Sequence, residues 1–408
     1  MIFGSKKNKQ ENDIEEQTEY TFRPFHETYR WIATTLTLGL MYPNPATDRT
    51  RLILIVASLL MMQPVIVFIL IDMYMCWLKR DIFNIIRHST IIGPFLGAFF
   101  KMLLMYYKRV QVKELIDEMN RDYSSYNQLP RHCRAVAAAG VRASVTHTER
   151  LWAPLVGIAI MAFPGVAVVG TLCSHVFAAA PQRYMVHDLN RPFREPEARF
   201  DSPYFETLFL LMFAGAIICV FNYTSYDGLF GLMTRHACLK MSIYCLRLHD
   251  GFRSDEPDEL YRRLMEFIRE QGRMFRFGAL IQDAFNIWLG TILISTMIQV
   301  GSLLFHISAG YGFDLRYMLF SVCSVVHILL PCKNAANLKM MSMDTATLVY
   351  CCGWERTSCK RVRRMIPFLI ARAQRPIRIM AFYMFQYDME LFVNIMRTSY
   401  SMFTLLRS

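Results

Sequence analysis

Long apolar runs recur along most of this chain, and they restrict its fold more than any other feature. A helix that crosses a bilayer needs about 20 mostly apolar residues, and seven stretches of the sequence meet or approach that length. Such runs favour helices over barrel strands, because a helix satisfies its own backbone hydrogen bonds in lipid. The sequence therefore predicts an all-α, polytopic membrane protein with seven transmembrane helices. The predicted spans are Leu52–Leu78, Ile82–Tyr107, Leu151–Ala180, Tyr204–Met233, Phe277–Ser308, Leu315–Cys332 and Ile377–Leu406.

The loops on alternate sides of these spans carry very different numbers of basic residues. One side, which includes the N-terminal tail, has 34 Lys and Arg, and the other side has 9. Cytoplasmic loops carry the excess of basic residues, so the N-terminus is predicted in the cytoplasm and the C-terminus outside the cell. The same loops account for the net charge of +12. A nucleic-acid partner is not predicted, since no single basic face stands apart from the spans.

Four segments follow from this arrangement. Residues 1–51 form a cytoplasmic segment without the short apolar core of a cleavable signal peptide. Residues 52–332 hold spans one to six with their cytoplasmic helical extensions, residues 333–376 form a cytoplasmic region, and residues 377–408 hold span seven. In one extension, Asp258–Phe277, apolar residues recur at helical spacing. This extension either lengthens a membrane helix or contributes to a platform for subunit assembly.

Signatures of catalysis are missing from the sequence. It contains no His-Glu-x-x-His, no Gly-x-Ser-x-Gly and no glycine-rich phosphate loop. We therefore predict that the protein is not an enzyme and uses no cofactor or metal. Among the eleven cysteines, Cys76 and Cys173 lie towards the predicted outer side, where one disulfide is compatible with the compartment. Most of the others are expected to be reduced thiols.

Aromatic side chains are frequent in the predicted outer halves of spans two, three, four and six. A cavity lined by aromatic rings and a few hydroxyl groups suits a small volatile or lipid-like ligand. Ordinary helix packing is the simpler explanation for any single ring, since the chain has 30 Phe and 20 Tyr. The candidate ligand-binding residues are Phe95, Phe99, Phe163, Phe209, Phe213, Tyr317, Phe320, Ser321 and Ser324.

Charged residues near the spans have two explanations. Solvation at the membrane interface is the expected one for acids near span ends, which are Asp72, Glu206, Asp227 and Asp283. Span seven differs, because it carries Asp388, Glu390 and Arg397 together with a run of hydroxyl groups. Charges are costly at the bilayer centre, whereas a helix beside water tolerates them. Span seven is therefore predicted to line an aqueous path.

Two motifs in the C-terminal third are distinctive. Trp354 precedes Ala371-Arg372-Ala373-Gln374-Arg375-Pro376, and the chain closes on Thr398-Ser399-Tyr400-Ser401-x-Phe403-Thr404-Leu405-Leu406-Arg407. This pattern resembles the signature ending of the insect odorant receptor family. Chain length and the seven spans are similar to that family along the full sequence, and Phe285–Gly290 with Met343–Thr347 resemble moth-type members.

The resemblance implies a subunit of a ligand-gated, non-selective cation channel in the plasma membrane of sensory-neuron dendrites. Members of the family bind small volatile odorants and assemble in the lipid bilayer as heterotetramers with a shared odorant receptor co-receptor. Cytoplasmic parts of spans four to seven form the joining platform, which favours the platform interpretation of Asp258–Phe277 and makes residues 333–376 an assembly region. The alternative is a gustatory receptor, a related channel for less volatile ligands. A metabotropic seven-span receptor is disfavoured, because the basic loops invert its orientation.

The resemblance also implies that the last half-helix, Met389–Ser408, lines the central pore. Asn394, Thr398, Ser401 and Leu405 share one face of that helix. Leu405 matches the position of a hydrophobic gate residue in the co-receptor.

Overall fold

The computed structural model describes residues 20–177, 180–192, 194, 196–252, 256–308 and 314–407, and helices dominate these ranges. A π-helical turn, Thr146–Trp152, joins α6 to α7, and a short hairpin of β1 (Met380–Ala381) and β2 (Phe385–Gln386) precedes α12. The helices are α1 (Phe25–Thr28), α2 (Arg30–Leu38), α3 (Asp48–Leu78), α4 (Ile82–Tyr107), α5 (Arg109–Tyr126), α6 (Arg131–Val145), α7 (Ala153–Phe177), α8 (Tyr204–Gly251), α9 (Pro257–Ser308), α10 (Leu315–Tyr350), α11 (Lys360–Ala373) and α12 (Met389–Arg407).

Six helical segments of the described chain are long and apolar enough to cross a membrane, and they contain α3, α4, α7, α8, α9 and α10. The predicted all-α, polytopic architecture is therefore confirmed. Three of these helices extend well beyond their predicted spans, because α8 continues to Gly251, α9 begins at Pro257, and α10 continues to Tyr350. The apolar stripe of Asp258–Phe277 is thus the first part of one continuous helix. Pro257 at its first position and two acids in its first turn are typical of a helix start.

The seventh predicted span needs a correction, since Ile377–Leu406 is not one continuous helix. Helix α12 begins only at Met389, where Asp388 Oδ1 accepts a hydrogen bond from the backbone N–H of Leu391 at 3.0 Å. The preceding hairpin turns through residues with positive φ and places Phe382 against Gly290 of α9. A Cβ at position 290 would lie 2.2 Å from the Phe382 ring, so only glycine allows this close approach.

A central layer of α8, α9 and α10 carries several of the largest buried side chains. Tyr226 and Phe230 of α8 meet Phe285 and Trp288 of α9, with ring centroids 5.2 to 5.5 Å apart for four of the pairs. Aromatic pairs at such distances add about 0.5–1.5 kcal/mol beyond the burial of their area. This cluster holds α8 and α9 together, and α10 packs against both of them, while α3, α4 and α7 pack around this layer at the predicted outer side.

Candidate functional site

A cavity of about 110 Å³ lies where α3, α4, α7, α8, α9 and α10 converge. Its wall is mostly apolar, and an engineered cavity of about 150 Å³ is large enough to hold benzene. The cavity therefore suits a small and mostly apolar molecule. The lining residues are Val65, Ile69, Ile91, Pro94, Phe95, Trp152, Val156, Ile160, Phe163, Val186, His187, Met212, Ala216, Cys219, Tyr223, Gln299, Phe320, Cys323, Ser324 and His327.

Aromatic rings form two opposite parts of this wall. Phe163 of α7 lies edge-on to Phe320 of α10, with centroids 5.7 Å apart. At the end of the cavity near Asp227, the Trp152 ring stacks parallel to the His327 ring, with centroids 5.8 Å apart. The Tyr223 ring approaches the same imidazole edge-on, with centroids 5.4 Å apart. These contacts hold the rings in fixed orientations, so the shape of the cavity is largely formed without a ligand.

The polar groups of the cavity wall largely bond to one another. Gln299 Nε2 donates to Ser324 Oγ at 2.8 Å, and that hydroxyl donates to the Phe320 carbonyl at 2.7 Å. The Tyr223 hydroxyl donates to the carbonyl of Pro94 at 3.0 Å. A ligand therefore meets a wall on which few hydrogen-bonding positions remain open, as is usual for sites that bind apolar molecules.

A buried ion cluster supports the lower end of the cavity. Lys101 Nζ of α4 lies 2.8 Å from both carboxylate oxygens of Asp227 of α8, and His327 Nε2 of α10 lies 2.7 Å from Asp227 Oδ2. The ammonium group also sits 3.5 Å from the centroid of the Tyr223 ring. Only 4% of the Lys101 side chain and 5% of the Asp227 side chain are exposed. Such charges in a membrane helix require a partner, and this cluster joins three spans through mutual pairing.

Residues 180–192, between α7 and α8, cover the opposite end of the cavity, and we call this segment the roof. Val186 and His187 are its residues in the cavity wall. A hydrogen bond of 2.8 Å joins His187 Nε2 to His88 Nδ1 of α4. Burial, followed by the nearby His88 and Arg87, lowers the pKa of the His187 imidazole well below its usual value. The roof thus presents a neutral side chain to the cavity.

Helix α12 packs against α9, and only a narrow stripe of its residues is buried. Ile395 and Ser399 are buried in that contact, and an added Cβ at Gly301 of α9 would lie 3.1 Å from the Ser399 carbonyl oxygen. The other face carries Asn394, Thr398, Ser401 and Leu405, all of which are exposed.

Comparison with known proteins identifies the chain. The family model described as 7tm Odorant receptor matches residues 81–400, which is well over half of the sequence. The chain belongs to the insect odorant receptor family. It is therefore a multi-pass receptor of the plasma membrane, and its family is not a family of enzymes.

Curated relatives of the receptor come from Drosophila melanogaster. Odorant receptor 13a is 27% identical over 226 residues, which cover 50% of this chain and 53% of that protein. Odorant receptor 2a is 26% identical over 154 residues, which cover 36% of this chain and 38% of that protein. The receptor thus spans about half, or less, of the length of these two relatives.

Solved structures share the fold of the receptor along nearly its whole length. The insect olfactory receptor OR5 from Machilis hrabei in complex with eugenol has a TM-score of 0.75, with 93% of this chain and 97% of that chain covered. A second structure of OR5 from Machilis hrabei has a TM-score of 0.74. Sequence identity is 14% in both comparisons, so the likeness concerns the fold alone.

The structure brings some of the candidate ligand residues of the receptor together and not others. Four of the nine line the cavity, namely Phe95, Phe163, Phe320 and Ser324. Phe99 and Tyr317 lie behind this wall, at 5.4 Å from the ring of Phe95 and 5.5 Å from the ring of Phe163. Phe209, Phe213 and Ser321 are half-buried and do not line the described cavity. A ligand role for any of the nine stays a prediction.

The interfacial explanation of the four acids is wrong for two of them. Asp72 and Asp227 are buried and paired, whereas Glu206 is exposed beside Arg183, and Asp283 is partly exposed beside Lys108. Sequence reasoning also missed Trp152, Tyr223 and His327. The available signal was Lys101, which lies within span two and six residues before its end at Tyr107, because a charge inside a span needs a partner on another span.

Proposed function

We propose that this receptor is the odorant-binding subunit of a ligand-gated, non-selective cation channel that it forms with the odorant receptor co-receptor. The observation that carries the proposal is the division of α12 into two faces. One face is held against α9 by Ile395 and Ser399. A second face, about 100° around the helix, presents amide, hydroxyl and leucine side chains to the outside of the subunit. A membrane helix with such a face is suited to a water-filled path between subunits.

The cavity supplies the ligand side of the proposal. Its apolar and aromatic lining fits a small volatile molecule. OR5 from Machilis hrabei, which has the same fold, was solved in complex with eugenol, and a related class of ligand is proposed for this receptor. Binding would open the channel only to the extent that the odorant prefers the open state.

Residues 333–376 are proposed as the assembly region. They comprise the cytoplasmic end of α10 and the helix α11, whose buried stripe of Val362, Ile366 and Leu369 faces the subunit's own core. Phe368 on the other side of α11 is 78% exposed. An exposed phenylalanine of this kind suits contact with a neighbouring subunit.

Expression in oocytes with and without the co-receptor tests the proposal. Volatiles applied to the pair should evoke a cation current, and the receptor alone should give none. A current carried by the receptor without the co-receptor would favour the gustatory type of channel. Silence of the pair to a broad panel of volatiles, at normal surface expression of both subunits, would contradict the proposal.

The orientation of the chain gives a first prediction. Because the excess of basic residues on its side predicts a cytoplasmic N-terminus, an epitope at the C-terminus should be stained by antibody on intact cells. An epitope at the N-terminus should be stained only after permeabilisation. The reverse pattern would exclude both types of channel.

The cavity gives a second prediction. Phe163→Ala removes a ring that lines the cavity, which should cost about 1–3 kcal/mol of ligand binding. The half-maximal concentration of an activating odorant should therefore rise roughly 5-fold to 150-fold. Dose–response curves of the channel, recorded at matched surface expression, measure this shift.

Phe213→Ala is the matched control for that variant. Both residues were candidates from the sequence, but Phe213 lies outside the described cavity lining. Its replacement should shift the curve much less than the replacement of Phe163. Equal shifts, or no shift in either variant, would show that the ligand does not occupy this cavity.

A further inference from the structure

Three potential metal ligands converge beside the roof of the cavity. Asp72 and Cys76 are one helical turn apart on α3, so their side chains lie on the same face, and His88 approaches them from α4. The carboxylate, thiol and imidazole ligand atoms all lie within 4.8 Å of one another, and all three residues are buried. A tetrahedral zinc ion holds its ligand atoms roughly 3.3–3.8 Å apart, given bond lengths of about 2.0–2.3 Å. Small side-chain adjustments would therefore close the site.

The imidazole of His88 contacts the roof through one ring nitrogen and faces the carboxylate of Asp72 with the other. Its Nδ1 is already engaged with His187 Nε2, while its Nε2 is fully buried and makes no hydrogen bond to the described residues. That nitrogen lies 3.3 Å from Asp72 Oδ2, with its side chain 0% exposed. This contact is longer than a usual N–H···O hydrogen bond of about 2.7–3.2 Å, so the imidazole and the carboxylate face each other without a close bond. A cation between the imidazole and the carboxylate would satisfy both.

The surroundings of the cluster match the outer shell of a metal site. Ligating histidines usually hydrogen-bond through their second ring nitrogen, and ligating carboxylates are hydrogen-bonded in turn. Here His187 contacts the second nitrogen of His88, and Asn190 donates to Asp72 from its backbone N–H at 3.0 Å and from its amide at 3.2 Å. Both outer residues belong to the segment that covers the cavity.

We propose that Asp72, Cys76 and His88 bind a divalent zinc ion that fastens the roof of the cavity to α3 and α4. Thiolate and imidazole ligands favour zinc over calcium and magnesium, which take oxygen ligands. Binding releases the thiol proton of Cys76 to solvent, and the sulfur, nitrogen and oxygen ligands leave a fourth position for water. The contact of His187 with His88 and the contact of Asn190 with Asp72 then link the metal ligands to the roof. The proposal concerns metal binding alone and does not depend on the channel function.

A second group, His132, Cys133 and Asp250, also has metal-ligand chemistry. It is less suitable, because the His132 side chain is 52% exposed, whereas that of His88 is 0% exposed. Its thiol would nevertheless complicate a binding assay. The test is therefore made in a full-length receptor that carries Cys133→Ser.

Cobalt titration of this purified receptor in detergent tests the site. Co²⁺ bound to a thiolate has an intense charge-transfer absorption, and Zn²⁺ should abolish it by displacement. We expect one equivalent of Co²⁺ to produce this band in the parent protein and in Cys173→Ser, whose thiol is exposed elsewhere. Cys76→Ser should lose the band, and His88→Gln should weaken binding at least tenfold. No band in the parent, or an unchanged band in Cys76→Ser, would overturn the proposal.

Alkylation of thiols provides a readout that needs no variant in the site. Zn²⁺ should protect Cys76 from a small alkylating reagent under partly unfolding conditions, and Cys173 should react equally with and without the metal. Mass spectrometry of the labelled peptides distinguishes the two cysteines. Equal labelling of Cys76 with and without Zn²⁺ would also overturn the proposal, even if the variants fail to fold.

Discussion

Asp227→Ala is expected to keep most of the receptor from reaching the cell surface. The substitution leaves the Lys101 ammonium buried without the two carboxylate oxygens that now lie 2.8 Å away. Removing one partner of a buried ion pair costs about 3–5 kcal/mol, which is a large part of the roughly 5–15 kcal/mol that stabilises a folded protein. His327 loses its partner in the same step. Surface biotinylation and thermal unfolding of the detergent-solubilised protein measure the loss.

Two controls separate this effect from the general loss of a carboxylate. Asp283→Ala breaks another lysine–aspartate contact between helices, with Lys108. Because the Asp283 side chain is 40% exposed, that change should cost only about 0–1 kcal/mol. The double variant Lys101→Met with Asp227→Leu removes both buried charges and should recover much of the surface expression. Similar expression of Asp227→Ala and Asp283→Ala would show that the buried cluster does not stabilise the fold.

Leu405→Ser is expected to raise the basal current of the channel formed with the co-receptor, or to alter its ion selectivity. A hydrophobic constriction excludes water, and a polar side chain at that point favours wetting. Leu405 is 75% exposed on the face of α12 that carries Asn394, Thr398 and Ser401. The co-receptor would supply the remaining pore helices, so the change need not abolish gating. Recording of current before and during odorant application measures both effects.

Leu406→Ser is the matched control on the neighbouring position. Leu406 lies about 100° further around the helix and is half-buried. Its replacement should change the basal current much less, although it removes the same side chain. If the two variants behave alike, the assigned pore-facing side of α12 is wrong, and the assignment of the receptor to its family is unaffected.

The membrane helices were largely predictable, because the signal for a span is local. The structure gives α4 the same limits as the predicted second span, Ile82–Tyr107, and α3 ends at the predicted Leu78. An apolar run of sufficient length must be helical in lipid, whatever packs against it. The prediction of span seven is wrong in its first part, since the apolar residues before Asp388 form a hairpin against α9. Hydropathy does not distinguish a lipid-facing segment from one that is buried against protein.

The cavity and the ion cluster depended on contacts between distant parts of the chain. Lys101 and Asp227 are 126 residues apart, and Asp227 and His327 are 100 apart, so no spacing in the sequence relates them. The sequence indicates the span and depth of each aromatic candidate, and only the rotation of each helix decides which of them line the cavity. Phe163 and Phe213 differ in this way.

The sequence by itself determined that this chain crosses a membrane as helices, which side carries the basic loops, and to which family its C-terminal motifs belong. These properties depend on composition and order within segments of about 20 residues. Only the tertiary structure decided which charges are paired, which rings surround the cavity, and that His88 meets Asp72 and Cys76 beneath the roof. Those features depend on the rotation and crossing of packed helices, and side-chain packing over the whole molecule sets both.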